Sequence, residues 1–162
     1  MSEVICDTSP LQYLHQLGLL HLLPALVGGI VVPPAVLQEL AVGWVHGVSL
    51  PDPMDLAWVT VRSPPSIAAL PLVTDLGPGE TEVLALALEA TDAVVILDDA
   101  LARRVAATLG IRLRGTLGVL LDAKRTGLLP AITPLLDQLH ALGFHLSRRT
   151  RTDILDLAGE AT

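Results

Sequence analysis

Five carboxylates are spaced along this chain in a way that invites metal chemistry: Asp7, Glu39, Glu80 and the adjacent pair Asp98-Asp99. Asp7 directly follows the apolar run Val4-Ile5-Cys6, and Asp98-Asp99 close the apolar run Ala93 to Leu97. Glu39 falls in a helical pattern behind Ile30-Val31-Val32, and Glu80 opens the helical pattern that precedes the Asp98-Asp99 run. In an open parallel sheet, ligands gather beyond the carboxyl ends of the strands, so all these positions can face one cleft. Carboxylates brought together repel unless a cation neutralises them, and an all-oxygen set without His or Cys suits Mg²⁺ or Mn²⁺. Each acid also has a plain structural use. Glu80 can complement a helix dipole, and Asp98 or Asp99 can cap the helix that follows. Asp7 fits such a use less well because it ends a buried run, so the combination carries the functional reading.

The elements that must position these acids are legible in the pattern. Val4-Ile5-Cys6 reads as a central strand leading through Thr8-Ser9-Pro10 into a helix. Ile30-Val31-Val32 is the next strand, and Pro33-Pro34 starts a helix through Leu40. From Gly43 to Pro78 the chain is rich in Pro, Gly, Ser and Asp, which predicts loops or an insertion with one strand near Ala57 to Val61. A helix after Gly77-Pro78-Gly79, a strand Ala93 to Leu97, a helix to Gly110 and an edge-type strand Ile111 to Arg114 follow. Gly115 opens another helix, Pro130 to Leu142 supplies one more, and Arg148 to Ala158 reads as a polar terminal segment that starts with a mobile basic stretch, Arg148 to Arg151. Strands alternating with helices predict a parallel α/β sheet in one domain.

Composition narrows the classes of function. The 162 residues are 51% apolar with a net charge of −7, and mean hydropathy is +0.60, which suits a large core rather than a disordered chain. Leucine accounts for 34 positions, while the aromatics are only Tyr13, Trp44, Trp58 and Phe144. Rows of stacked bases, as on RRM or OB surfaces, are therefore excluded. Cys6 is the sole cysteine, so no intrachain disulfide and no Cys-rich zinc site forms, and a reducing cytoplasm is expected. No neighbouring base activates its thiol, so it reads as a small core residue. Met1 to Asp7 carries two acids and no Lys or Arg, unlike a secretory leader. Thr8 to Gln38 has no charged residue, yet His15, Gln16, His21, Pro24 and Gly28-Gly29 interrupt it, so it is expected to be a buried helix and strand rather than a membrane span. The five histidines show no ligand spacing with the acids.

At this point the motifs resemble a family. Val-Ile-Cys-Asp7-Thr8-Ser9-Pro10-Leu11, Val-Val-Pro-Pro-Ala-Val-Leu-Gln-Glu39-Leu, Leu-Gly-Pro-Gly-Glu80-Thr-Glu-Val-Leu-Ala, Val-Ile-Leu-Asp98-Asp99-Ala-Leu-Ala-Arg-Arg and Gly115-Thr116-Leu-Gly-Val-Leu look like a PIN domain, closest to a prokaryotic subgroup similar to VapC-type toxins. The resemblance implies a three-layer α/β/α sandwich with a central parallel sheet. It makes residues 1–146 the nuclease domain and 147–162 the basic C-terminal segment of that domain. It further implies a Mg²⁺- or Mn²⁺-dependent ribonuclease with a quartet of Asp7, Glu39, Glu80 and an aspartate of the Asp98-Asp99 pair. The family's Thr-x-Asp pattern favours Asp99, with Asp98 beside it. Two departures stand out: Glu80 where many relatives carry Asp, and Leu97 or Asp98 where a small hydroxyl residue is common. Asp7 and Asp99 are then direct metal ligands, Glu39 and Glu80 hold metal-bound waters or a second ion, Asp98 is a further candidate ligand, and Thr8 and Ser9 orient Asp7 or cap the first helix.

Net acidity argues against RNA until its distribution is read. Residues 1–99 hold twelve acids and one base, a balance of −11, whereas residues 100–162 hold nine bases and five acids, a balance of +4. Arg103, Arg104, Arg112, Arg114, Lys124 and Arg125 could line the rim of the cleft and meet phosphates, or simply form a solvated face. The resemblance adds a small antitoxin protein and a second copy of the chain as partners, the latter covering surplus apolar surface. Two other classes compete. A phosphatase or receiver-type phosphoryl-transfer domain also has an Asp after its first strand, but Ser9 stands where the phosphatase needs a second Asp. A PIN-like binding module with little nuclease activity is the remaining alternative.

Overall fold

The strand runs foreseen from apolar patterning form in the computed structural model, which describes residues 2–66 and 75–160. They are β1 (Glu3–Cys6), β2 (Ile30–Val32), β3 (Val59–Val61), β4 (Ala93–Ile96) and β5 (Arg112–Arg114). All pair in parallel in the order β3-β2-β1-β4-β5. β1 lies at the centre, with Ile5 opposite both Val31 and Val95. Ile5, Cys6, Val32 and Val95 are fully buried, the signature of a parallel sheet covered on both faces. The alternating Arg-Leu-Arg of β5 ends the sheet as expected, its charged side chains discouraging further strand pairing.

Eight helices occur among the described residues: α1 (Thr8–Gln16), α2 (Leu22–Val27), α3 (Pro34–Val45), α4 (Pro78–Glu89), α5 (Ala100–Thr108), α6 (Thr116–Arg125), α7 (Thr133–Ala141) and α8 (Arg148–Ala158). α4 packs on β1 and β4 and against α3, while α1 meets α3 and α6, and α2 meets α6. The result is a three-layer α/β/α sandwich. Proline at the first helical position begins α3 and α4, where its missing N–H costs nothing.

Two local expectations are corrected and a third is borne out. The uncharged stretch from Thr8 holds two helices, not one, because Gly18 adopts φ +72° and turns the chain between them. The segment Arg148 to Ala158 is the ordered helix α8: Ser147 Oγ caps it by accepting from Thr150 N at 3.0 Å, and Ile154 and Leu155 are buried as it packs on α6. Within the loop region from Gly43 to Pro78, β3 and a short 3-10 turn (Pro53–Asp55) form, and residues 67–74 lie outside the described residues.

A carboxylate clip closes the C-terminal end of this layer. Glu160 accepts from the amide of Ile132 at 2.8 Å, from the Thr133 hydroxyl at 2.7 Å and from Lys124 Nζ at 2.7 Å, joining α8 to α6 and to the start of α7. Lys124 also donates to Ala158 O at 2.6 Å. These donors hold the Glu160 carboxyl down at about 2, although partial burial works against them.

No helix among the described residues is long and apolar enough to cross a membrane.

Candidate functional site

β1 is the point where strand order reverses, since the chain passes from it to β2 on one side and later reaches β4 on the other. Such a switch point opens a crevice at the carboxyl ends of the strands. Asp7 stands there after β1, tied to the neighbouring strand by its amide, which donates to Ile96 O at 2.9 Å. Asp98 and Asp99 stand at the end of β4, Glu39 in α3 and Glu80 in the first turn of α4.

Asp7 is the deepest acid, 4% exposed. Burial, with added repulsion from Glu80, Glu39 and Asp98, pushes its carboxyl up to about 7, while the Thr8 amide partly offsets this. Burial likewise raises Glu80, against the stabilising Gly77 amide, and Asp99 and Glu39 add to the rise. All five acids thus act on one another within one site. The backbone makes this approach possible at Gly79: a Cβ there would strike Glu39 Oε1 and lie 3.0 Å from Asp7 Oδ1. Glycine in a helical turn ordinarily costs about 1 kcal/mol relative to alanine, and here it admits two carboxylates.

The hydroxyls of the first helix do not orient Asp7. Thr8 Oγ1 donates to Glu39 Oε1 at 2.9 Å, and Ser9 Oγ donates to Asp98 Oδ2 at 2.8 Å. Asp98 is saturated further by Thr116, whose amide donates to Oδ1 and whose hydroxyl donates to Oδ2, each at 2.7 Å. Thr116 is fully buried. Asp98 therefore locks the end of β4 to the first turns of α1 and α6. Asp99 Oδ2 accepts from Ala102 N at 2.9 Å and caps α5. Glu80 Oε2 accepts from Gly77 N at 2.6 Å, closing the N-terminus of α4. The cap foreseen for Asp98 or Asp99 is made by Asp99, Glu80 sits at the helix N-terminus whose dipole it was expected to complement, and both roles coexist with their place in the cluster.

Gly79 and Thr116 are site residues that sequence reading passed over. A glycine inside a helical first turn was the available signal for Gly79, and the Gly115-Thr116 step after an edge strand the one for Thr116.

The donor set is entirely carboxylate and mutually repulsive, which fits a hard divalent cation. Among the described residues no three His, Cys, Asp or Glu side chains are gathered closely enough to hold a metal ion as they stand. Each carboxylate instead takes the local amide or hydroxyl partner described above. Cys6 is buried, donates to Asp7 O at 3.4 Å, and has its thiol pushed up by burial and by Asp7 and Asp98, which keeps it inert.

The basic residues expected along the rim are mostly engaged elsewhere. Arg112 pairs with Asp92 at the opposite end of the sheet, Arg114 Nε binds Asp122 at 3.2 Å, Lys124 belongs to the Glu160 clip, and Arg125 reaches Leu157 O at 3.5 Å. Arg104 is exposed. Arg103 comes beside Asp98 at Gly115, its Nη1 donating to Leu97 O at 3.1 Å. The six candidates thus do not form one continuous basic rim.

A family model described as DUF3368, a PIN domain, matches residues 3–160. No curated protein and no solved structure matches the chain.

Proposed function

The chain belongs to the PIN-domain family, and from that premise we propose that it is a Mg²⁺- or Mn²⁺-dependent endoribonuclease acting through Asp7, Glu39, Glu80 and Asp99. PIN domains are commonly nucleases and usually use divalent metals, which makes hydrolysis the reading at family level. The observation that carries the finer reading is the loading of Asp7: a nearly buried carboxylate whose proton is retained to about pH 7 by burial and by three neighbouring acids. Such an arrangement is costly unless positive charge arrives to offset it.

When bound among these carboxylates, a divalent cation supplies neutralisation of charge on a phosphodiester and a hydroxide nucleophile at neutral pH. The chain's own groups prepare that place. Thr8 fixes Glu39, the Ala102 amide fixes Asp99, and the Gly77 amide fixes Glu80. Asp98, with three donors on its two oxygens, serves to hold the β4 end in register rather than to bind the ion. The test is Mn²⁺-dependent cleavage of single-stranded RNA. Asp7→Ala and Asp99→Ala should each abolish it and Glu39→Gln should weaken it less; cleavage that survives EDTA refutes the proposal.

The same reading makes the chain the toxin-like half of a toxin–antitoxin pair and a homodimer. The exposed apolar side chains Val42, Trp44, Val45, Val48 and Met54, at the end of α3 and beyond, support an interface, with Val45 85% exposed.

A further inference from the structure

A groove of about 460 Å³ lies between β5, α6 and α8, with Asp98, Arg103, Phe144, His145 and Thr150 among its lining residues. Its size falls in the roughly 300–1,000 Å³ typical of ligand pockets. Asp98 is on its wall, so the groove borders the acid cluster. We propose that it seats a nucleotide flanking the cut in single-stranded RNA, with Arg103 anchoring the phosphate.

Arg103 carries this assignment. Its side chain is partly buried, and among the described residues it makes no ion pair, whereas Arg62, Arg112, Arg114, Lys124 and Arg151 all do. A guanidinium has five N–H donors, and the bond to Leu97 O uses one of them. That carbonyl fixes the tip and leaves the rest for an anion in the groove, where two parallel donors suit a phosphate. Gly115 builds the seat. Its backbone is extended, at φ −106°, a conformation open to any residue, yet a Cβ there would lie 2.7 Å from Arg103 Nη1 and 3.2 Å from Asp98 Oδ1. The glycine is explained by room for the guanidinium and not by backbone freedom.

The remaining walls suit the rest of a nucleotide. Phe144 lines the groove and is braced edge-on by Tyr13, ring centres 5.0 Å apart at 86°. An aromatic so held offers a stacking surface for a base without sequence preference. His145 and Thr150 line the same groove from the α8 side and offer hydrogen bonds to a ribose hydroxyl. One aromatic and one arginine outside any ion pair make a site for a single nucleotide, in keeping with a chain that has four aromatic residues.

The inference rests on the ribonuclease reading, and the experiment separates the two. Fluorescence anisotropy of a fluorescein-labelled oligouridylate, in EDTA across a salt series, is compared for wild type, Arg103→Gln and His145→Ala. Arg103→Gln should bind about tenfold more weakly, with a log-log salt slope shallower by about one. His145→Ala alters an exposed side chain; it should weaken binding about threefold with the melting temperature unchanged. In wild type, photocrosslinking of a thiouridine-labelled oligoribonucleotide should modify the peptide containing Phe144 and His145. Cross-links elsewhere, with both variants binding within about twofold of wild type, overturn the groove assignment while leaving Mn²⁺-dependent cleavage intact. A wild-type chain that neither binds nor cleaves RNA overturns both readings.

Discussion

Gly79 places the backbone of α4 against the carboxylate of Glu39, so closely that a Cβ would collide with Glu39 Oε1. This contact joins two helices that begin 44 residues apart, at Pro34 and Pro78, and makes Glu39 and Asp7 neighbours.

Gly79→Ala follows as the first test. In open helix the change would stabilise by about 1 kcal/mol; here it should lower the melting temperature and weaken Mn²⁺ stabilisation by about tenfold in concentration. Thermal melts across a Mn²⁺ titration decide it. A higher melting temperature with unaltered Mn²⁺ response would contradict the packing.

Asp7 sets the pH dependence of the metal-free protein. Its carboxyl rises from an ordinary 3.8 to about 7 on folding, so between those values the folded chain keeps a proton that the unfolded chain has released. The stability this contributes is complete below about pH 4 and lost as pH climbs through 7. Asp7→Asn stays neutral and should be more stable than wild type in EDTA at pH 8, by up to about 4 kcal/mol. The two should converge below about pH 4. Urea unfolding at the two pH values measures this, and with saturating Mn²⁺ at pH 8 the wild type should gain stability that the variant does not.

Asp98 and Asp99, adjacent in sequence, should separate by role. Thr116→Val removes the buried hydroxyl that donates to Asp98 and should cost about 1–3 kcal/mol. Asp98→Asn should likewise destabilise while retaining Mn²⁺ binding, and Asp99→Asn should do the reverse. Chemical denaturation paired with Mn²⁺ titration distinguishes them; equal loss of Mn²⁺ affinity in both would return Asp98 to the ligand set.

The Glu160 clip predicts an acid-sensitive C-terminal layer. With a folded carboxyl at about 2 against an ordinary 4.5, its contribution is present above pH 4.5 and lost as pH falls toward 2. Glu160→Gln should therefore cost about 1–3 kcal/mol at pH 7 and little at pH 2. Hydrogen exchange should show the loss concentrated in α7 and α8.

Assembly is tested at the exposed apolar side chains. Val45→Glu and Met54→Glu should give a monomer by light scattering where wild type gives a dimer, and a monomeric wild type at micromolar concentration would refute the interface.

What the sequence by itself determined is local. Short apolar runs such as Val4-Ile5-Cys6 and Ala93 to Leu97, Pro at helix starts and Gly at helix ends are properties of neighbouring residues. They therefore announced the strands, most of the helices and the acids at their ends. The acid pattern and its PIN-like order were legible for the same reason, since each acid is tied to the end of its own element. Tertiary structure decided what no neighbour relation can state. Strand order put Asp7 and Asp98 at a switch point, and side-chain partners were chosen by packing across the fold: Ser9 with Asp98 rather than Asp7, Lys124 with Glu160 rather than a phosphate, Arg112 with Asp92 at the opposite end of the sheet. Arg148 to Ala158, whose charges read as a loose tail, became a helix because Ile154 and Leu155 found a buried place against α6. A long charged side chain reaches several ångströms from its backbone, and which partner it meets depends on elements that only the folded chain brings within that reach.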